Sequence, residues 1–320
     1  MKILDKNLFH NISKVKILVI GDIILDKYIF GNSNRLSPEF PVPVVNIIDN
    51  KASLGGSTNV AENLATIGAK VSLCGIIGDD NDGIEVLDLL KKSNIDSQFI
   101  IRKKKTNTTV KTRLISNKFH LARIDNDIDK ISFTKQELAK LLKVISNFDL
   151  IIISDYNKGL INKNLVNKVV EKAKENSIKI YVDPKQNASV YQNVDYITPN
   201  EKEFKELFLK DLTGSLIKYS SNLINDFKIQ NIIITKGDRG YTFISANKKA
   251  VHGLANKVDV YDICGAGDTF ISYFSLFNFL FKNEIESLRI ASLVATFTVT
   301  KPGIYSPSKT DLIQILSLNE

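Results

Sequence analysis

Between Val258 and Phe270 the chain reads Val-Asp-Val-Tyr-Asp-Ile-Cys-Gly-Ala-Gly-Asp-Thr-Phe. Gly265, Ala266 and Gly267 carry almost no side chain, so an anion can approach their backbone closely. An apolar run follows at once (Phe270, Ile271, Tyr273, Phe274, Leu276, Phe277, Leu280, Phe281) and predicts a buried helix. The first N–H groups of a helix are unpaired and lie at the positive end of its dipole, which makes a site suited to phosphate. Asp268 falls in that first turn, where a simple phosphate binder gains nothing from a negative charge. A carboxylate there makes sense if it accepts a proton from a hydroxyl that attacks the phosphate. The bland alternative is a tight turn followed by an ordinary acidic helix start, and the tetrapeptide alone does not choose between the two.

Other strands and helices must bring partners to such a site. Residues 15–20, Val-Lys-Ile-Leu-Val-Ile, end in Gly21-Asp22 and predict a buried parallel strand. Val71–Ile77, Leu150–Ser154, Ile178–Val182 and the run from Ile232 predict further strands. Ile84–Lys92, Lys135–Ser146, Lys163–Glu175 and residues 201–208 predict helices. Strands alternating with helices imply right-handed crossovers and one mostly parallel sheet covered on both sides, an α/β fold. Ligands of such sheets bind beyond the carboxyl ends of the strands. The polar residues that follow strands are Asp22, Asp155 with Lys158, Asp183 with Lys185, Asn200 with Glu203, and Lys236. Capping is the better account of Asp183 and Lys185. Asn200 and Glu203 face one way on a first helical turn, and either hold a hydrated Mg²⁺ through water or form a capping box.

Gly55 and Gly56 precede an amphipathic helix that stops at Gly68, and they let the backbone come close to a ligand. Asn59 in its first turn offers both a donor and an acceptor. Asp26 follows Ile23-Ile24-Leu25 and either caps a turn or accepts hydrogen bonds from substrate hydroxyls. Residues 27–49 hold prolines 38, 41 and 43, which exclude a helix and a central strand and predict an edge hairpin standing off the body. In residues 98–124, β-branched and basic side chains alternate, which predicts two or three strands with one wet face. Together the two segments predict a small sheet folding over the site as a lid. Arg113 and Arg123 would hold a phosphate if they face inward; a solvated face is the alternative.

Composition excludes several classes. The hydrophobic fraction of 43% and charged fraction of 24% belong to a soluble globular protein. The net charge of +8 is spread over scattered lysines, and the densest cluster, Arg102–Lys105, is too short for a nucleic-acid arm. Cys74 and Cys264 are not spaced as a pair, and His10, His120 and His252 are isolated, so neither a structural zinc nor a disulfide framework is expected. No apolar run has the length of a membrane span and the N-terminus lacks the apolar core of a signal peptide, so a cytoplasmic location with no membrane partner is expected. No repeat or linker divides the 320 residues, which predicts a single domain carrying the lid.

These residues resemble the ribokinase-like (phosphofructokinase B type) carbohydrate kinases over nearly the whole chain. The resemblance rests on Gly55-Gly56 with Asn59 and on Asp262-Ile-Cys-Gly-Ala-Gly-Asp268. It implies a three-layer α/β sandwich with a central, mostly parallel sheet and a β lid. It also implies ATP and Mg²⁺, with a monovalent cation such as K⁺ as a further candidate. Asn200 and Glu203 resemble the family's Asn-x-x-Glu element, and Thr235-Lys236-Gly237 its nucleotide loop. Residues 291–304 are similar to the part that closes over adenine. Cys264 stands where the family usually has Thr. A narrower resemblance, to the kinases of D-glycero-β-D-manno-heptose 7-phosphate, lies in Gly21–Tyr28, Ser37–Val44, Lys111–Ser116, Asp155–Gly159 and Val260-Tyr-Asp262. It implies phosphorylation of the anomeric hydroxyl, for lipopolysaccharide core assembly. Asp268 would then be the base, Ala266 and Gly267 the anion hole, Asp26 and Asn59 the ligands of sugar hydroxyls, and Arg113, Arg123 and Lys158 those of the sugar's phosphate. Bifunctional members carry an adenylyltransferase domain; a chain ending at Glu320 predicts a separate partner for that step, and a lid-mediated homodimer is expected.

Overall fold

The computed structural model describes residues 7–117, 119–127, 131–207, 216–246 and 250–318. The first part of the chain supplies strands β1 (Lys16–Gly21), β2 (Ile23–Leu36), β3 (Pro43–Gly56), β4 (Lys70–Gly78), β5 (Asp96–Lys103), β6 (Thr109–Ser116) and β7 (Phe119–Asn126). The second supplies β8 (Leu150–Ser154), β9 (Lys179–Asp183), β10 (Tyr196–Ile197), β11 (Asn231–Thr235), β12 (Tyr241–Ser245) and β13 (Ala250–Gly253). The helices are α1 (Leu8–Ile12), α2 (Ser57–Thr66), α3 (Asn81–Lys92), α4 (Lys135–Val144), α5 (Lys163–Glu175), α6 (Glu201–Glu206), α7 (Leu216–Phe227), α8 (Ala266–Phe281), α9 (Glu284–Thr298) and α10 (Lys309–Ser317).

Nine strands form the main sheet, in the order β13-β12-β11-β10-β9-β8-β1-β4-β5. Neighbours from β11 through β5 run parallel, and β12 and β13 close the other edge antiparallel. Successive side chains of a strand point to opposite faces, and β1 shows this directly. Ile17 and Val19 join the core beneath α2, α8, α9 and α10, whereas Leu18 and Ile20 join the core beneath α4, α5, α6 and α7. Both faces are therefore dry, which is why the inner strands read as unbroken apolar runs. The result is the expected three-layer sandwich. Residue 208, the expected end of the helix after Asn200, lies outside the described residues. Among those residues no helix is long and apolar enough to cross a membrane.

A second sheet, ordered β3-β2-β6-β7, rises from the carboxyl edge of the first. The prolines behave as expected: residues 37–42 form the hairpin turn and Pro43 opens the edge strand β3. β2 itself is central, paired antiparallel with β3 and parallel with β6. One expectation is corrected. Gln98–Arg102 is not lid but part of β5, paired parallel with β4 at the edge of the main sheet. An edge strand is covered only in part, so Phe99 and Ile101 pack on one core, Ile100 on the other, and Gln98 and Arg102 take the wet positions.

Candidate active site

The helix start read from the sequence is present. Gly265 has φ +80° and caps α8 in the left-handed conformation that glycine alone adopts without strain. A Cβ there would also lie 2.7 Å from Asn59 Nδ2. Ala266 N–H turns back to Ile263 O at 3.3 Å and closes the turn, so it does not point outward as expected. Gly267 N–H has no acceptor among the described residues, and a Cβ at this position would meet open space. Of the two N–H groups, Gly267's is the one left open to an anion.

Asp268 is buried in the first turn of α8, held from both sides. Asn59 Nδ2, from α2, donates to Oδ2 at 2.8 Å, and Tyr156 Oη, from the turn after β8, donates to Oδ1 at 2.7 Å. Asn63 Nδ2 donates to Asn59 Oδ1 at 3.1 Å, which turns the Asn59 amide so that its nitrogen faces the carboxylate. Thr269 Oγ1 in turn donates to Asn63 Oδ1 at 3.2 Å, so α2 and α8 lock the arrangement jointly. Burial pushes the Asp268 carboxyl up to about 6; the bonds from Asn59 and Tyr156 pull against this, Asp26 adds to it and Lys111 opposes it. A carboxylate poised near neutrality, with a lone pair left on each oxygen, is what a general base requires.

Asp26 is not a turn cap. It sits within β2, buried, and accepts a hydrogen bond from the Arg113 guanidinium on β6. Gly55 makes room for it, since a Cβ there would collide with Asp26 Oδ2. Side chains opposite one another in neighbouring strands share a face, so Asp26, Tyr28, Lys111 and Arg113 lie on one face of the lid. That face is turned to the body: Lys111 Nζ lies 5.5 Å from the Tyr156 ring centroid. Arg123 is opposite Arg113 across β6 and β7, but exposed and paired with Asp125 at 2.9 Å. Lys158 pairs with Asp127 at 2.5 Å. All three basic residues expected at a phosphate thus carry a carboxylate in this structure.

A cleft of about 770 Å³ opens between the lid and residues 302–304, lined by Tyr28, Phe30, Lys51, Ser53, Asn117 and Gly303 among others. Two buried hydroxyls on its walls, Tyr28 Oη and Ser53 Oγ, have no partner among the described residues. Buried polar atoms left unpaired in this way are open to a water or a ligand.

On the other side of Asp268 the carboxyl ends of β9 and β11 approach the start of α6. Asn200 bridges Thr235, which brings Asn200, Glu203, Thr235, Lys236 and Gly237 together. The capping box is observed: Asn200 Oδ1 accepts from Glu203 N at 2.9 Å, and Glu203 Oε2 from Asn200 N at 2.9 Å. Asp183 and Lys185 are not caps, since Asn187 caps the short turn that follows them. Lys185 pairs with Glu203 at 2.5 Å. Burial, with Glu203 and Asp268 nearby, pushes the Asp183 carboxyl well above its usual range. Such crowding of negative charge suits a cation, yet no three ligating side chains converge among the described residues. With their oxygens engaged in the capping box and the Lys185 pair, Asn200 and Glu203 would meet a hydrated Mg²⁺ only through water, and the site is not a closed protein cage.

Tyr156, Lys111 and Tyr28 lie in stretches that carry the narrower resemblance but had no expected role at the site, and neither had Asn63 or Ser53. Tyr156 directly follows Asp155 at a strand end, a position that already marked its neighbours. Lys111 is two residues before Arg113 and so shares its face, a signal the strand period carries.

The model of the pfkB family carbohydrate kinases matches residues 14–311, and the chain belongs to that family. By class it is an ATP-dependent sugar kinase. It is 35% identical over 308 residues to the bifunctional protein HldE of Helicobacter acinonychis, covering 94% of this chain and 66% of that protein. To HldE of Haemophilus influenzae it is 34% identical over 304 residues, covering 93% and 63%. The chain thus spans a little under two thirds of the length of these relatives. Among solved structures, ribokinase from Thermotoga maritima superposes with a TM-score of 0.73 at 23% identity, covering 95% of this chain and 99% of that one. Phosphofructokinase-2 from Escherichia coli does so with 0.77 at 16% identity, over 95% and 99%. At those identities the likeness concerns the fold, which is ribokinase-like.

Proposed function

We propose that this chain transfers the γ-phosphoryl group of ATP to the anomeric hydroxyl of D-glycero-β-D-manno-heptose 7-phosphate, giving the 1,7-bisphosphate for ADP-heptose and lipopolysaccharide core synthesis. The observation that carries the transfer is the meeting of Gly267 N–H, the open start of α8 and the doubly held Asp268 carboxylate in one turn. The choice of sugar is supported by the motifs shared with heptose 7-phosphate kinases and by the similarity to HldE. The same reading takes the whole chain as one cytoplasmic kinase domain.

In this reading the sugar lies beneath the lid, with Asp26 and Asn59 on its ring hydroxyls. Asp268 takes the proton of the attacking hydroxyl as the new P–O bond forms in line with the bond to ADP that breaks. Gly267 N–H, with the positive end of α8, faces the charge on the transferring group. Mg²⁺, held through water by Asn200 and Glu203, would neutralise phosphate oxygens there. Thr235, Lys236 and Gly237 border the nucleotide. The sugar's own phosphate would be met by Arg113, Arg123 and Lys158 through exchange of their carboxylate partners, with Lys111 a further cation on that face. Tyr28 Oη and Ser53 Oγ would bond the distal hydroxyls. The product is a sugar 1-phosphate, the kind of substrate an adenylyltransferase consumes.

Self-association through the lid belongs to the same proposal. Every residue of β7 is exposed, Phe119 and Ile124 included, as are Ile47 and Ile48 on β3. Light scattering reading a monomer would remove this part. The substrate is tested by ADP release, with Mg²⁺ and with or without K⁺, on heptose 7-phosphate, fructose 1-phosphate, ribose and adenosine. The reading expects the heptose to lead by kcat/KM. A clear preference for fructose 1-phosphate would move the chain to another sugar-phosphate kinase.

A further inference from the structure

We propose that Tyr156 is a positioning residue for the base, its hydroxyl fixing one oxygen of Asp268 so that the carboxylate stays oriented and ionised for the attacking hydroxyl. This rests on the reading of Asp268 as the base. The two clamps on the carboxylate differ in origin. Asn59 belongs to α2 and packs with α8, whereas Tyr156 comes from a turn across the sheet edge. That turn is itself built to hold still. Asp22, buried at the end of β1, accepts from Tyr156 N at 2.9 Å and from Lys158 N at 3.1 Å through a single oxygen, Oδ2. Asp155 accepts from Asn157 N at 2.6 Å, and its other oxygen accepts from Tyr191 Oη at 2.5 Å and Gln186 Nε2 at 2.7 Å. Asn157 takes the left-handed conformation, φ +56°, which turns the chain back at the point where the two carboxylates grip it. On the lid side the Tyr156 ring supports Lys111.

A hydrogen bond donated to a carboxylate favours its ionised form. The groups that face Asp268 are Asn59 from α2, Tyr156, Asp26 from β2, Lys111 from β6 and Asp183 at the end of β9. Of these, Asn59 and Tyr156 donate hydrogen bonds to it, Lys111 favours its charge at longer range, and the two aspartates oppose it. Burial and the Asp268 charge push the Tyr156 phenol well above its usual range, so it remains a donor throughout the working range of pH. Removing that hydroxyl shifts the balance toward protonated Asp268.

The test is Tyr156→Phe in the full chain, which keeps the ring against Lys111 and removes one oxygen; thermal unfolding verifies that the fold is retained. The Asp268 carboxyl carbon is titrated by NMR in protein labelled at aspartate, its signal assigned by its loss in Asp268→Asn. The expected result is a midpoint about one pH unit higher in Tyr156→Phe, with the acid limb of kcat/KM displaced by the same amount. An unmoved midpoint and acid limb, even with lowered turnover, would reduce Tyr156 to a structural role and overturn the inference. The NMR midpoint is read without substrate, whereas turnover by Asp268→Asn decides whether Asp268 is the base. The two claims can therefore fail separately.

Discussion

Replacing Asp268 by Asn should weaken the enzyme and strengthen the fold, and the second effect has a pH signature. The buried carboxyl is raised from 3.8 to about 6, so the folded state binds its proton more tightly than the unfolded chain does. Such a group penalises the folded state once the pH exceeds both values, and the penalty disappears as the pH falls below them. At one pH unit per 1.36 kcal/mol, the full penalty is about 3 kcal/mol, reached above roughly pH 7. At pH 5 the folded group is still mostly protonated, and only about half of that penalty is present. Asn carries no charge, but its amide nitrogen must either face Asn59 Nδ2, which is a donor, or turn the Tyr156 hydroxyl from donor to acceptor. That mismatch costs about 1–3 kcal/mol and does not vary with pH, so the absolute difference between the proteins is less informative than its slope. Urea unfolding of both proteins at pH 5 and pH 8 should show the variant gaining on the wild type by roughly 1 kcal/mol or somewhat more as the pH rises. In parallel, kcat should fall about 10²–10⁴-fold with nucleotide binding kept. A stability difference that stays flat, or shrinks, from pH 5 to pH 8 would refute the argument that burial sets the carboxyl.

Two further predictions concern the lid. Asp26→Asn leaves the Arg113 guanidinium, largely buried, without its charged partner, and should raise KM for the sugar about 10-fold or more while changing KM for ATP little. Equal changes in both KM values would argue against a sugar contact. Gly55→Ala drives a Cβ into Asp26 Oδ2 and should cost about 1–3 kcal/mol in unfolding free energy, together with a raised KM for the sugar. Unaltered stability and kinetics would mean that Asp26 can stand elsewhere.

The sequence was most readable where one physical constraint dominated. Parallel strands buried on both faces must be apolar throughout, so β1, β4, β8, β9 and β11 were visible as runs. The start of α8 was visible because only glycine fits Gly265, and because an acid there is chemically conspicuous. What escaped was pairing across the chain. Nothing local distinguishes β5 from a lid strand, since a half-covered edge strand and a half-wet lid strand alternate alike. Nothing local says that Arg113 meets Asp26, 87 residues away, or that Tyr156 reaches Asp268, 112 residues away. Candidate site residues were legible singly, by position at strand ends; the bonds they make are set by the sheet order, which no short motif contains.

The central claim is that Gly267 N–H and the Asp268 carboxylate act on the same transferred group. A crystal structure with Mg²⁺, a non-hydrolysable ATP analogue and the acceptor sugar tests it directly. The account predicts the terminal phosphate within hydrogen-bond distance of Gly267 N, and the acceptor hydroxyl between that phosphate and an Asp268 oxygen. A nucleotide whose terminal phosphate lies away from the start of α8, or an acceptor hydroxyl bonded to some other group, would contradict it.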